Sequence, residues 1–185
     1  MKIFMLGTSL SATSINKKLI LFLARILTQE GHEVTVGSFS DYNAPLYNIN
    51  VQESEGIPQN VQKFATALTS YDCIIFSCPE YNYSISGVFK NLIDWSSRTT
   101  PNPWKAKPIF LMSASPSSIG GMRGLWATRI PLEGLGAYVA PGMFSLPDSY
   151  KTLSNEGQIT DANLVKQLHK MKDEFLQYAA KLNAK

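Results

Sequence analysis

Charged residues and long apolar runs are both scarce in this sequence, and each shortage excludes a class of protein. Only 17% of the 185 residues are charged and the net charge is +3, which is too small and too scattered to favour a nucleic-acid or membrane-surface partner. The longest apolar run, residues 19–24, is far below the roughly 18 residues that a membrane-spanning helix needs. A hydrophobic content of 44% nevertheless excludes a disordered chain, so we expect a single globular domain over residues 1–185.

The start of the chain does not have the pattern of a secretion signal. Met1 and Lys2 lead directly into a strand-like segment, without the small-residue cleavage site that follows the apolar region of a signal peptide. The sequence therefore indicates a cytoplasmic protein that makes no contact with a membrane.

Cysteine and histidine are also rare, with two of each. Cys73 and Cys78 are five residues apart in one apolar segment, and side chains alternate between the two faces of a strand. The odd spacing directs the two thiols to opposite faces, which predicts buried free cysteines and no disulfide. His169 has Asp173 one helical turn further on, but two ligands do not make a metal site, and we expect no bound metal.

The sequence does contain a regular alternation of strand-like and helix-like segments. Apolar patterns predict strands at residues 2–7, 33–37, 71–78, 108–113 and 137–143. Helical spacing predicts helices at residues 14–31, 58–70, 87–97, 121–135 and 161–182, with a kink or interruption at Pro131 and with Thr160 or Asp161 capping the last helix. This alternation predicts an α/β protein with a parallel sheet covered by helices on both faces. Such sheets bind ligands beyond the carboxyl ends of the strands, which directs attention to the loops after strands one, three and four.

The loop after the first strand is dense in hydroxyl groups and leads directly into a helix. Five serine and threonine residues lie between Thr8 and Ser14, with no acidic residue among them. Free N–H groups at a helix start bind anions and hydroxyls add donors, which favours a phosphate site; the alternative is that Thr13 or Ser14 only caps the helix. The loop has neither the Walker pattern nor the Gly-x-Gly-x-x-Gly of a dinucleotide fold.

The loops after the third and fourth strands combine aromatic, amide and hydroxyl side chains. Tyr81 and Tyr83 stand beside Asn82 and Ser84 in the first of these loops, a mixture that suits a flat heteroaromatic ligand with polar edges. The alternative is an ordinary surface turn with Tyr81 packed down. The second loop, residues 113–123, mixes serines with glycines that let a ligand approach the backbone closely.

Several short motifs in and near these loops resemble those of one known family. They are Pro79-Glu80-Tyr81-Asn82, Ser86-Gly87, Lys90-Asn91, Ile93-Asp94-Trp95, Pro45-Leu46-Tyr47-Asn48, and Ser115 with Gly120-Gly121 and Arg123. Over roughly residues 2–140, the chain resembles the NADPH-dependent FMN reductases, a group that includes flavin, quinone, chromate and azo-dye reductases. The resemblance implies a flavodoxin-like three-layer sandwich with a five-stranded parallel sheet in the order 2-1-3-4-5.

The resemblance also implies which residues bind FMN. The phosphate is expected at Ser9, Ser11, Ser14, Ile15 and Asn16. The ribityl chain and the isoalloxazine ring are expected at Pro79, Glu80, Tyr81 and Asn82, with Ser115 and Gly120 nearby. We expect Glu80 to cap or pair within its loop rather than to act as an acid.

One position departs from the family pattern, because the family usually has an arginine where Ser11 stands. A hydrogen bond to a charged group contributes about 1.5–3 kcal/mol, which is roughly 10- to 150-fold in affinity. We therefore expect either weaker FMN binding or compensation for the missing charge by Lys17 or Lys18. The sequence is equally consistent with both lysines being ordinary solvated residues of the helix.

The function implied by the resemblance is that of an FMN-dependent NAD(P)H oxidoreductase. Such a cofactor carries the reactive chemistry, so no catalytic triad or acid–base pair is required. Hydride from NADPH or NADH would pass through the flavin to a flavin, quinone or similar small acceptor in a ping-pong mechanism. The alternatives are a flavodoxin-like electron carrier that binds FMN without using NAD(P)H directly, and a flavin-free interaction module.

The resemblance further implies self-association, because members of the family commonly form homodimers or homotetramers. Tyr42, Tyr47 and Trp104 lie in predicted loops and are candidate interface aromatics, since aromatic residues are enriched at interfaces. The sequence does not rank the three.

Overall fold

A six-stranded parallel sheet forms the centre of the structure, a computed structural model that describes residues 1–184. The strands of the chain are β1 (Lys2–Gly7), β2 (Glu33–Val36), β3 (Cys73–Ser77), β4 (Glu80–Tyr81), β5 (Ser84–Ile85), β6 (Pro108–Ala114), β7 (Tyr138–Val139) and β8 (Phe144–Leu146). The sheet has the order β2-β1-β3-β6-β7, with β8 also paired to β6, whereas β4 and β5 form a separate antiparallel hairpin. This confirms the expected flavodoxin-like order 2-1-3-4-5.

Helices cover both faces of the sheet and make the structure three layers deep. They are α1 (Ile15–Gln29), α2 (Ile49–Glu55), α3 (Gln59–Ser70), α4 (Gly87–Ser96), α5 (Met122–Gly134), α6 (Ser149–Thr152) and α7 (Ala162–Asn183). The apolar sides of α1 and α7 pack on one face of the sheet, and those of α3, α4 and α5 pack on the other. The short helices α2 and α6 lie in segments where the sequence predicted no helix.

Side-chain alternation along the central strands divides the core into two halves. On β1, Ile3 and Met5 belong to the half beneath α1 and α7, whereas Phe4 and Leu6 belong to the opposite half. Cys73 and Cys78 are likewise buried in different halves, and both are free. The prediction of two buried thiols without a disulfide is therefore confirmed.

The fifth strand and helix α5 differ from what the sequence predicted. The fifth strand, expected as one segment over residues 137–143, is split into β7, which pairs with the start of β6, and β8, which pairs with its end. Pro141 and Gly142 lie between the two pieces, and proline has no N–H to donate to a strand ladder. The interruption expected at Pro131 is absent, because α5 runs through this residue to Gly134.

The closing helix α7 has the cap and the buried face that the sequence indicates. The Asp161 side chain caps the helix and accepts hydrogen bonds from the N–H groups of Asn163 and Leu164. Its apolar face packs into the same half of the core as α1. Buried Lys172 reaches across to the end of α1, where its Nζ lies 2.6 Å from both carboxylate oxygens of Glu30. This ion pair joins the outer helices of one layer.

The candidate interface aromatics are packed within the subunit. Trp104 is completely buried, packs edge-on against Phe64 and tilted against Phe76, and donates its indole N–H to Ser96 Oγ. The expectation that Trp104 lies at an interface is therefore wrong, because this ring fills the core between α3 and the sheet. Tyr47 is half-buried with its ring edge against Trp95, 5.1 Å between centroids.

Two features are absent from the part of the chain that the structure describes. None of its helices combines the length and the apolarity that crossing a bilayer requires. Within residues 1–184, no group of three or more histidine, cysteine, aspartate or glutamate side chains is arranged to hold a metal ion.

Candidate functional site

The three loops that the topology singled out meet in one cleft of about 220 Å³ at the carboxyl edge of the sheet. Its lining residues are Ser9, Ser11, Thr13, Ser14, Ile15, Asn16, Pro79, Glu80, Tyr81, Ala114, Ser115 and Pro116. The structure thus brings together every residue predicted for the site except Asn82 and Gly120. Thr13, Ala114 and Pro116 were missed, although each directly adjoins a predicted residue at a strand end or in the hydroxyl-rich loop.

The start of α1 forms one end of the cleft. Ser14 is the N-cap residue, and its side chain accepts a hydrogen bond from the N–H of Lys17 at 3.3 Å. The N–H groups of Ile15 and Asn16, in the first turn, have no partner within the helix. Capping and anion binding are therefore compatible here, because Ser14 uses the N–H of Lys17 and leaves free the N–H groups of two residues that line the cleft.

Hydroxyl groups surround these free donors. Ser9 Oγ accepts from the N–H of Ser11 at 3.2 Å, and the hydroxyls of Ser11 and Thr13 lie 3.3 Å apart. No acidic residue occurs in the first turn of α1, so nothing there repels an anion. The arrangement suits a phosphate group, which gains from both the helix dipole and hydroxyl donors.

The cleft lining includes no lysine or arginine, so Ser11 leaves its anion-binding end without a cation. Lys17 lines a neighbouring cavity that shares Ser9 and Ser11 with the cleft. Lys18 instead packs against Gly157 and lies near Glu156. The pKa of Glu156 is lowered, first by a hydrogen bond from Ser154 and also by the charge of Lys18. Of the two lysines considered as replacements for the arginine, Lys17 is therefore the one beside the loop.

Asn16 is the most buried polar residue of the cleft, with only 2% of its side chain exposed. Its amide makes three hydrogen bonds. Oδ1 accepts from Ser77 Oγ at 2.8 Å and from the N–H of Ala114 at 2.9 Å, and Nδ2 donates to the carbonyl of Ala114 at 3.1 Å. The side chain therefore joins α1 to the ends of β3 and β6, while its backbone N–H remains in the open first turn.

The opposite end of the cleft is formed by the β4–β5 hairpin. Asn82 and Tyr83 form its turn, with φ values of +50° and +64°, the backbone geometry of a tight type I′ hairpin. Asparagine tolerates this left-handed conformation better than most residues, which suits Asn82 to the turn, and Asn82 does not line the cleft. Tyr81, just before the turn, is half-exposed and offers its ring to the cleft.

Glu80 joins the hairpin to α5. Its Oε2 accepts a hydrogen bond from the N–H of Gly124 at 2.8 Å, within the first turn of that helix. A Cβ at Gly124 would lie 2.9 Å from the Cβ of Glu80, so only glycine allows the hairpin this close to the helix. The expectation that Glu80 caps or pairs is confirmed, although its partner is the start of α5 and not a group of its own loop.

Gly120 and Gly121 shape the third loop instead of lining the cleft. Both have positive φ values, +65° and +85°. A Cβ on Gly120 would lie 2.8 Å from the carbonyl carbon of Leu146, and a Cβ on Gly121 would overlap Ser113 Oγ. The two glycines therefore pack the loop against the ends of β6 and β8, which sets the position of Ser115.

The cleft offers no acid–base pair. Glu80 and Tyr81 are its ionisable lining residues, and the Glu80 carboxylate is bound to α5. Cys78 adjoins the cleft but is buried, and burial raises the pKa of its thiol to about 12 despite hydrogen bonding with Thr8 and Thr128. Since a neutral buried thiol is a poor nucleophile, Cys78 is not an activated nucleophile beside the cleft.

Together, the sheet order, the open helix start and the aromatic hairpin define a flavodoxin-like protein whose candidate ligand cleft lies at the carboxyl edge of the sheet. The model of the family described as NADPH-dependent FMN reductase matches residues 1–151. The chain therefore belongs to the NADPH-dependent FMN reductase family, whose members are enzymes that use FMN and NAD(P)H.

Individual relatives agree with this assignment. The probable NADPH:quinone oxidoreductase 2 of Oryza sativa subsp. japonica is 28% identical over 192 aligned residues, which cover all of this chain and 92% of that protein. The quinone reductase of Escherichia coli (strain K12) is 40% identical over 95 residues, 51% of this chain and 50% of that protein. FerB of Paracoccus denitrificans, described as a flavoenzyme NAD(P)H:(acceptor) oxidoreductase, superposes with a TM-score of 0.82 at 24% identity and 97% coverage of both chains. This last similarity shows a shared fold.

Proposed function

We propose that this protein is an FMN-dependent NAD(P)H oxidoreductase of a single domain that passes hydride to a flavin, quinone or similar small acceptor. The observation that carries the proposal is the meeting of an anion-binding helix start and an aromatic hairpin in one cleft at the switch point of the sheet. Relatives named as quinone reductases support the acceptor class.

The residues of the cleft fit FMN in their chemistry. The free N–H groups of Ile15 and Asn16 and the hydroxyls of Ser9, Ser11 and Thr13 would hold the phosphate. Pro79, Tyr81 and the backbone beside Ser115 would contact the ribityl chain and ring. Bound FMN supplies a carrier that accepts and releases two electrons, so the protein needs no acid–base pair of its own.

The protein's own residues would position the flavin and place no reactive thiolate beside it. The bond from Gly124 to Glu80 holds the hairpin against α5 and so determines where the Tyr81 ring lies. Cys78 remains a protonated thiol at neutral pH, because burial raises its pKa to about 12. One cleft would serve both NAD(P)H and the acceptor, and a shared site used in turn by two substrates produces ping-pong kinetics.

The visible absorption spectrum of the purified protein tests this proposal, recorded before and after addition of FMN and then of NADPH or NADH without oxygen. We expect flavin bands that bleach on addition of reduced nicotinamide and return when a quinone is added. A flavin that binds but stays oxidised with both nucleotides would favour the electron carrier. No binding at high FMN would favour the flavin-free module, and either result contradicts the proposal.

We further propose that the protein forms homodimers or homotetramers through the outer face of α5. Trp126 and Ile130 are one helical turn apart on this helix and are 58% and 74% exposed. Tyr83 of the adjoining hairpin is 70% exposed, beneath the guanidinium of Arg123 at 4.7 Å. Exposed aromatic and arginine side chains of this kind are enriched at interfaces, and a second subunit on this face would lie beside the cleft.

An Ile130→Glu variant is expected to be a monomer where the wild-type protein is a dimer or tetramer. A buried, unpaired carboxylate at the centre of an interface opposes association strongly, whereas Ile130 contributes little to the subunit's own core. Sedimentation velocity measures the change. Leu21→Glu, an exposed leucine on the unrelated helix α1, is the matched control and should leave the assembly intact. An Ile130→Glu variant that associates like the wild type would exclude this face.

A further inference from the structure

The Asn16 side chain occupies an unusual position at the end of the central sheet. The last paired residues of β3 and β6 are Ser77 and Met112, after which the chain leaves β3 at Pro79. Ala114 therefore presents its N–H and its carbonyl to a neighbour that β3 no longer provides. Asn16 Oδ1 and Nδ2 bind these two groups at 2.9 and 3.1 Å, so the amide replaces the missing strand residue.

These contacts leave the amide of Asn16 in a single orientation. Ala114 N–H requires an acceptor and the Ala114 carbonyl requires a donor, so the oxygen and nitrogen of Asn16 cannot be exchanged. Ser77 Oγ, at 2.8 Å, supplies a second donor to the same oxygen. Both acceptor positions of Oδ1 and one of the two N–H donors of Nδ2 are then used within the protein, and Asn16 is buried. An amide held in this way cannot rotate to contact a ligand without breaking these hydrogen bonds.

We propose that Asn16 is a positioning residue, which holds the phosphate-binding start of α1 in register with the loops that follow β3 and β6, and that its side chain is not a phosphate ligand. The anion contact at this residue belongs to its backbone N–H. Through the side chain, the free donors of α1 keep a constant distance from Tyr81 at the end of one loop and from Ser115 at the start of the other. This inference rests on the proposed flavin-binding function.

Two flavins that differ only in the phosphate distinguish a positioning role from a ligand role. An Asn16→Ala variant is compared with wild type for its dissociation constants for FMN and riboflavin, measured by quenching of flavin fluorescence on the apoprotein. Hydrogen bonds that orient ligand-holding groups are typically worth about 10- to 100-fold in affinity at metal sites. We expect both flavins to bind about tenfold more weakly, with the ratio of the two affinities unchanged.

Asn102→Ala is the matched control. Like Asn16, Asn102 bonds to both a backbone carbonyl and a backbone N–H, those of Leu135 and Trp104. It precedes β6 and so lies at the opposite end of that strand from the cleft. Both alanine variants are expected to lower the melting temperature, whereas Asn102→Ala should leave both flavin affinities unchanged. Should Asn16→Ala fail to fold, Ser77→Ala removes one of the three bonds and should weaken both flavins equally but less.

The possible results separate three roles. A loss confined to FMN, with riboflavin unaffected, would make the Asn16 side chain a phosphate ligand and would overturn the inference. A lower melting temperature with both affinities unchanged would make it merely structural, which also overturns the inference. A wild-type protein that binds neither flavin would instead contradict the proposed function, so the two failures are distinguishable.

Discussion

A Gly121→Ala substitution is expected to lower the free energy of unfolding by about 3–5 kcal/mol and the melting temperature by on the order of 10 °C. Gly121 has a φ of +85°, a conformation that alanine adopts only with strain. The new methyl group would also overlap Ser113 Oγ and lie 3.0 Å from Ser113 Cβ. Since Ser113 is completely buried at the end of β6, moving it away would itself cost free energy. Thermal unfolding followed by circular dichroism measures the change.

Two further variants separate the causes of this loss. Gly134→Ala, at the other end of α5, places its methyl group in open space and has no left-handed backbone, so we expect unchanged or slightly higher stability. Ser113→Ala in the Gly121→Ala background removes the overlapping oxygen. This hydroxyl has no hydrogen-bond partner among residues 1–184, so its removal should restore roughly half of the lost stability. A Gly121→Ala protein that melts like wild type would contradict the steric argument.

The sequence predicted the sheet well because each central strand can be recognised from its own run of apolar residues. The run Cys-Ile-Ile-Phe in β3 is buried on both faces, and such a pattern requires no knowledge of distant residues. The fifth strand was harder. Its pairing is divided between the two ends of β6. Pro141 and Gly142 indicate a break within residues 137–143, but nothing in this segment shows that the chain returns to β6 at Phe144.

The candidate site shows the same division between local and distant information. The hydroxyl-rich loop and the aromatic hairpin were recognisable from their composition, and both line the cleft. The hydrogen-bond partners of individual residues could not be recognised in this way. Asn16 and Ala114 are bonded although they are 98 positions apart in the sequence, and Glu80 and Gly124 are 44 positions apart. Trp104 was misjudged for a related reason. An aromatic residue in a loop looks the same in sequence whether it faces a partner or fills the core.

Replacing Ile15 with proline is expected to weaken FMN binding by roughly 10- to 150-fold while leaving the fold intact. Ile15 is the first residue of α1, where proline is well tolerated because the missing N–H has no partner within the helix. Ser14, with a ψ of 122°, already has the extended backbone that precedes a proline. The substitution therefore removes one donor from the proposed phosphate site. Titration of the apoprotein with FMN and with riboflavin measures the effect.

Ile15→Ala provides the control for this experiment, since it removes the same side chain but keeps the N–H group. Riboflavin carries no phosphate, so the proline and alanine variants should bind it equally, whereas FMN should distinguish them. Equal FMN affinities in the two variants would mean that the phosphate does not lie at the start of α1. A selective loss of FMN in the proline variant would instead assign phosphate recognition to the backbone, which would explain how the loop can function with Ser11 in place of the arginine of the family pattern.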